Sequence, residues 1–239
     1  MESTIQGYFK NSTKLSREKL VSLINKDFPD LSQDTISVYI SNLKKAAVIN
    51  NPARGVYSIT DKQIFNPEIN RNLKIIYNKI HKDFPFIDIC VWNTKWLSDL
   101  MRHQPFKNFT IIEVDKDAEE QVFNAVSEWT KNVYFNPDKE IFERYISKNK
   151  EEVTIIKNLV TEAPTTKNNG IEIPALEKLL VDIIIEKELF AAQQAELDFI
   201  YKSAFDKYDI NNAKMNRYAK RRNKENELEQ MINSSVAIY

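Results

Sequence analysis

Glycine is scarce in this chain. Its 239 residues include only Gly7, Gly55 and Gly170. No two are close enough to form a phosphate-cradling loop, which excludes P-loop and Rossmann fingerprints. Histidine and cysteine are scarcer still: His81, His103 and Cys90. One cysteine cannot form an internal disulfide. Two histidines and one cysteine cannot build a structural zinc site. A Ser-His-Asp centre would need one of these histidines, and neither sits in a nucleophile motif. Both read as ordinary surface or boundary residues. No run reaches the roughly 18 apolar residues of a membrane span. The N-terminus, MESTIQGYFK, lacks the apolar core of a signal peptide. A cytoplasmic protein is expected, with no membrane partner, no metal and no cofactor, and not an enzyme.

Net charge is also absent, since 34 Lys and Arg balance 34 Asp and Glu. The balance hides an asymmetry. Residues 1–66 carry nine cations and six anions, a net +3. Residues 67–205 carry 18 and 23, a net −5, and residues 206–239 carry seven and five, a net +2. Basic ends around an acidic middle hint at nucleic-acid contact through the ends. The 42% hydrophobic content is enough for one large domain, or one small and one medium.

What is present begins with a short first helix carrying Ile5, Tyr8 and Phe9, then a polar loop over Lys10–Lys14. Ser16 caps a second helix whose apolar face is Leu20, Val21, Leu23 and Ile24, and Phe28-Pro29-Asp30 ends it. Ser32 caps a third helix, Gln33–Ala46, with Ile36, Ile40 and Leu43 as one buried stripe. Ala47-Val48-Ile49 reads as a short strand, Asn50–Gly55 as turn chemistry, and Val56–Thr60 as a returning strand. Three helices followed by a hairpin is the order of a winged helix-turn-helix. In that motif the third helix offers its N-terminal side chains to base edges in the major groove. Gln33, Thr35 and Ser37 are suitable readers. Lys44, Lys45 and the turn residue Arg54 suit phosphates. Such a domain can also serve protein contact alone.

Beyond residue 66 helices and strands alternate. Asn70–Lys82 reads as a helix, Phe86–Trp92 as a strand broken by Asp88, and a helix through Met101 follows a cap at Asn93 or Thr94. Phe109–Val114 is a strand, and Asp117–Thr130 a helix with Asp117 and Glu120 in capping-box register. Val133–Phe135 and Val153–Ile156 are strands around a helix over Pro137–Ile146. From Pro174, placed at a first helical position, the pattern is helical, with Leu176, Leu179, Leu180 and Ile183 on one face. The expected fold is α+β. A winged helix-turn-helix occupies 1–66, a mixed α/β domain 67–205 and a basic helical extension 206–239. In that extension Lys214, Arg217, Arg221 and Lys224 are spaced to form one basic stripe on a helix. The stripe suits phosphate; the alternative is a solvated face, or pairing with the acidic middle.

Glu113, Asp115 and Asp117 are a further candidate, because alternating acids at a strand end can hold metals for phosphoryl transfer, and a nuclease reading could pair Asp88 with Glu113. The Glu-x-Lys element of common nuclease cores is not formed, because Val114-Asp115 follows Glu113, and helix capping explains Asp117 and Glu120 without a metal. Trp92, Trp96 and Trp129 read as packing residues. The apolar run Leu179–Ile185 reads as a core helix, with a partner-binding face as the alternative.

Several segments together resemble the AbiEi-type antitoxin and transcriptional-regulator family. They are Arg54-Gly55-Val56-Tyr57 at the end of the first domain, Asp88-Ile89-Cys90-Val91-Trp92, the run from Ile173 through Leu180 to Asp182, and Arg217-Tyr218-Ala219-Lys220-Arg221-Arg222. The resemblance implies a bacterial antitoxin of type IV, encoded beside a nucleotidyltransferase-like toxin and linked to abortive infection and phage defence. It implies a winged helix that binds operator DNA and represses the toxin–antitoxin operon, and a C-terminal domain associated with antitoxicity. The implied DNA contacts fall on Gln33–Lys45 and near Arg54. A homodimer would match the two-fold symmetry of many operators. The alternative is an interaction module that binds a toxin or other partner directly.

Overall fold

Ile36, Ile40 and Leu43 recur at helical spacing, and in the computed structural model all three are buried in one cluster with Ile5, Leu20, Ile24 and Tyr57. The structure describes residues 2–10, 12, 14–46, 48–59 and 62–235; within these, the side chains of Glu2, Lys45, Pro52 and Ala53 are not described. The chain is α+β and divides into two compact units. The first comprises residues 1–64 with 206–211, and the second 65–205 with 212–239. The segment expected as a separate basic extension is therefore shared out, and its helices are integral to the second unit.

In the first unit, α1 (Glu2–Tyr8), β1 (Lys14–Ser16), α2 (Arg17–Asp27) and α3 (Gln33–Lys45) precede a hairpin of β2 (Ile49–Ala53) and β3 (Val56–Ile59). Both caps read from the sequence form. Ser16 Oγ accepts the amide of Lys19, and Ser32 Oγ that of Thr35, each at 3.2 Å. The sheet order is β1-β3-β2, antiparallel throughout. Strand β1 begins at Lys14, the last residue of the expected loop: it is three residues long with one apolar side chain, Leu15, and only its pairing with β3 makes it a strand. The expected turn is mostly strand. A register shift between Asn50 and Ala53 carries β2 to Ala53. The turn closes on Arg54-Gly55, where Gly55 has a φ of 75° that favours glycine. Ala47 and Thr60, expected at strand ends, lie outside the described residues.

The second unit is built on a four-stranded sheet in which Ile89–Asn93, Phe109–Val114, Val153–Asn158 and Val133–Phe135 lie side by side in that order. It contains α4 (Arg71–Asp83), β4 (Ile89–Asn93), β5 (Phe109–Val114), α5 (Glu119–Ser127), β6 (Val133–Phe135), the single turn α6 (Lys139–Ile141) and β7 (Val153–Asn158). A hairpin follows, β8 (Thr165–Asn168) and β9 (Ile171–Pro174), then α7 (Leu176–Ile185), α8 (Leu197–Lys207), α9 (Asn212–Arg221) and α10 (Glu225–Ser235). Strand β4 runs antiparallel to β5, whereas β5, β7 and β6 are parallel. One sheet face, with Ile89, Val91, Ile112, Val114 and Ile156, packs on Leu73, Ile76 and Ile80 of α4 and Val122 and Val126 of α5.

Several expectations give way here. Phe86 is 98% exposed and precedes β4 rather than opening it. Thr94–Leu100 is a 3-10 helix. Asp117 makes no cap, lying inside a short 3-10 turn that leads into α5. After α6, Phe142–Ile146 continues as a π-turn. Pro174 ends β9, and Ala175 takes the cap position of α7. The β8–β9 hairpin is absent from the sequence reading, since Thr165–Asn168 carries no apolar alternation. No helix among the described residues is long and apolar enough to cross a membrane.

Candidate functional site

The buried stripe of α3 turns its polar residues outward. Gln33, Thr35, Ser37 and Lys44 are all exposed, and the side chain of Lys45 is not described. Two of the expected readers are partly engaged within the helix. Thr35 Oγ1 lies 2.8 Å from Ser32 Oγ, and Ser37 Oγ donates to the Gln33 carbonyl at 2.9 Å. Ser37 Oγ also accepts from the Arg17 guanidinium at 3.0 Å, and the Arg17 backbone N–H donates to the Gly55 carbonyl at 2.7 Å. One residue at the start of α2 thus joins the face of α3 to the turn bearing exposed Arg54. Arg17 escaped the sequence reading because its partners lie 20 and 38 residues away. No local spacing reports such a contact.

In the second unit, the four residues expected as one basic stripe are not equivalent. Lys214 and Arg217 are exposed on α9. Arg221 donates through Nε to Thr161 Oγ1 at 2.9 Å. Lys224 lies beyond the helix and pairs with Glu227 at 2.6 Å. Asn223 takes a left-handed backbone, φ 53°, and breaks the helical spacing that would have continued the stripe. The neighbouring Arg222, not singled out from spacing, turns inward instead.

Arg222 enters a network built on the sheet face opposite α4 and α5. Register places Cys90, Glu113 and Lys157 in one row across β4, β5 and β7. Lys178 of α7 lies over Glu113, with Nζ 2.7 Å from Oε2, and holds Asp182 Oδ2 at 2.7 Å. Trp92 Nε1 donates to Glu113 Oε2 at 2.9 Å. The other oxygen of Asp182 accepts from Tyr218 and from Arg222, both at 2.9 Å. Arg222 reaches Glu186 at 3.3 Å, and Lys157 also pairs with Glu186. Glu113, Lys178 and Asp182 are at most 1% exposed, so each charge depends on its partners rather than on water. Burial alone would pull the Lys178 ammonium down, but Asp182 and Glu113 more than reverse this and hold it well above the ordinary lysine value. Burial would likewise raise Asp182, yet Lys178, Lys157 and Arg222 hold it below the ordinary carboxylate value. Three anions meet three cations, an arrangement that fixes α7 and α9 on the sheet. The sequence did carry a signal: Asp182 interrupts the apolar run of α7 four residues after Lys178.

The acids considered for metal binding separate. Glu113 belongs to this network, while Asp88 donates its backbone N–H to Asp115 Oδ2 at 2.8 Å. Asp88 and Asp115 line a cleft of about 640 Å³ with Glu162, Glu172 and Lys167. Among the described residues no three His, Cys, Asp or Glu are arranged to hold a metal ion. His103 is exposed and bonds Glu196 at 2.7 Å, and His81 stacks on Tyr77 with ring centroids 5.8 Å apart. Trp92 is fully buried, and Trp96 and Trp129 pack at the edge of the α4–α5 core.

A family profile matches residues 35–238, most of the chain. The chain belongs to DUF6577, a family of unknown function. The DUF6577 match opens inside α3 and takes in the hairpin and every member of the charged network. No curated protein matches the chain.

Proposed function

We propose that this DUF6577 protein is a sequence-specific DNA-binding regulator whose first unit is a winged helix-turn-helix. The observation that supports it best is the surface that Arg17 links by hydrogen bonds, from Ser37 of α3 to the Arg54-Gly55 turn. A helix with one fully buried stripe and an exposed polar face fits the major groove, and a basic turn beside it meets the backbone. The resemblance to AbiEi-type antitoxins extends the reading. On it, the protein represses a toxin–antitoxin operon with a nucleotidyltransferase-like toxin, and the second unit serves antitoxicity.

The test is a gel-shift titration of the purified protein against its own upstream DNA and a scrambled duplex, at 50 and 200 mM salt. The expected result is preference for the upstream DNA, with affinity falling steeply as salt rises because counterions are released from the phosphates. Equal weak binding to both duplexes removes the regulator reading and favours a module that binds a protein partner directly.

A further inference from the structure

Helix α3 carries an outward stripe that mirrors its buried one. Ile36, Ile40 and Leu43 face the core. Asp34, Val38 and Ser41 repeat the same i, i+4, i+7 spacing on the opposite side and are all exposed. Gln33, Ser37 and Lys44 lie along one flank of that stripe, and Thr35 on the other. Val38 stands at its middle and is 60% exposed. A β-branched side chain is a poor helix former and gains little from burial at such a place. Local stability therefore gives no reason for it.

The neighbouring charges say what the stripe faces. The cations Arg17, bonded to Ser37, and Lys44 stand beside it, and exposed Arg54 lies on the turn whose Gly55 carbonyl accepts from the Arg17 backbone. Over its first two turns the stripe itself holds an acid, an apolar group and a hydroxyl. A surface made only to grip phosphate would place Lys or Arg there. These three types instead match base edges: carboxylate for the cytosine amino group, apolar contact for the thymine methyl, hydroxyl for either.

We infer that Val38 packs on the 5-methyl group of a thymine in the operator's major groove and sets a preference for thymine at that position. This rests on the DNA-binding reading above. The decisive experiment titrates full-length wild type and Val38→Ala against the protein's own upstream duplex and the same duplex with every thymine replaced by deoxyuridine, which lacks only the methyl. Wild type is expected to bind the uracil duplex about fourfold more weakly, the factor one buried methyl is worth. Val38→Ala is expected to bind both alike, within about twofold, while Ser41→Ala keeps the wild-type penalty. Equal binding of both duplexes by wild type, or an undiminished penalty in Val38→Ala, overturns the assignment and leaves DNA binding standing. So does a change in native mass by light scattering for Val38→Ala with thymine preference intact, which places Val38 in a protein interface. If wild type does not prefer its upstream DNA over a scrambled duplex, the DNA-binding reading fails and the Val38 assignment with it.

Discussion

Lys178→Met is expected to destabilise the second unit by about 3–5 kcal/mol, the usual cost of removing one partner from a buried ion pair. The total stability of such a domain is only about 5–15 kcal/mol, so the variant should unfold at a much lower urea concentration. The cost arises because Glu113 and Asp182 stay buried after their shared cation has gone. Glu113 keeps Trp92 and a distant Lys157, at 3.8 Å, while Asp182 keeps Tyr218 and Arg222. The double variant Glu113→Leu, Lys178→Met removes a charge of each sign, so it should recover part of the loss. Urea unfolding followed by circular dichroism measures both. Additive losses in the double variant would show that the two charges are not coupled. The pH dependence has a definite sign. Asp182 is held below its ordinary 3.8 in the folded protein, so its share of stability is present above that value. It is lost as pH falls through the lower folded value. Lys178 is held above its ordinary 10.5, so its share is complete below 10.5 and is lost as pH rises through the higher folded value. From about pH 5 to pH 9 both contributions are constant. The stability gap between wild type and Asp182→Asn should therefore be full at neutral pH and shrink in acid.

The triple variant Arg17→Ala, Lys44→Ala, Arg54→Ala is expected to bind operator DNA weakly while keeping its fold, since all three side chains are exposed. If each meets one phosphate, the slope of log affinity against log salt falls in magnitude by about 2.7. The deficit relative to wild type should then shrink roughly 40-fold between 50 and 200 mM salt. A deficit independent of salt would assign these residues to something other than phosphate contact. The two variants probe different units, and their effects should not mix: Lys178→Met acts on stability, and the triple variant on salt-dependent affinity.

The sequence made the first unit's helices and their caps legible because both signals are local. A serine accepts an amide three residues ahead, and a buried stripe recurs every three or four residues. Strand β1 and the bonds of Arg17 were invisible for the opposite reason, since each is defined by a partner far along the chain. The same division runs through the second unit. Strand β5 was read to its ends from its apolar run, whereas β8 is polar and is held by its pairing with β9. At the candidate sites, charge spacing was the weaker guide. It assembled Lys214, Arg217, Arg221 and Lys224 into a stripe, but Asn223 breaks the helix, and the cation of this segment that enters the buried network is Arg222. Spacing also gave the flank residues of α3 without the outward centre at Val38. Counting exposed polar types passes over an exposed apolar side chain.

Cys90 sits in the same row as Glu113, fully buried, with its thiol pushed well above the ordinary value first by burial and then by the Glu113 charge. A thiol held in this way reacts slowly with alkylating reagents and disulfide exchangers. It is also the chain's only one. The protein therefore contains a native clock for its own opening: the rate at which a thiol reagent labels it reports how often this buried sheet face becomes accessible, with no dye or engineered probe.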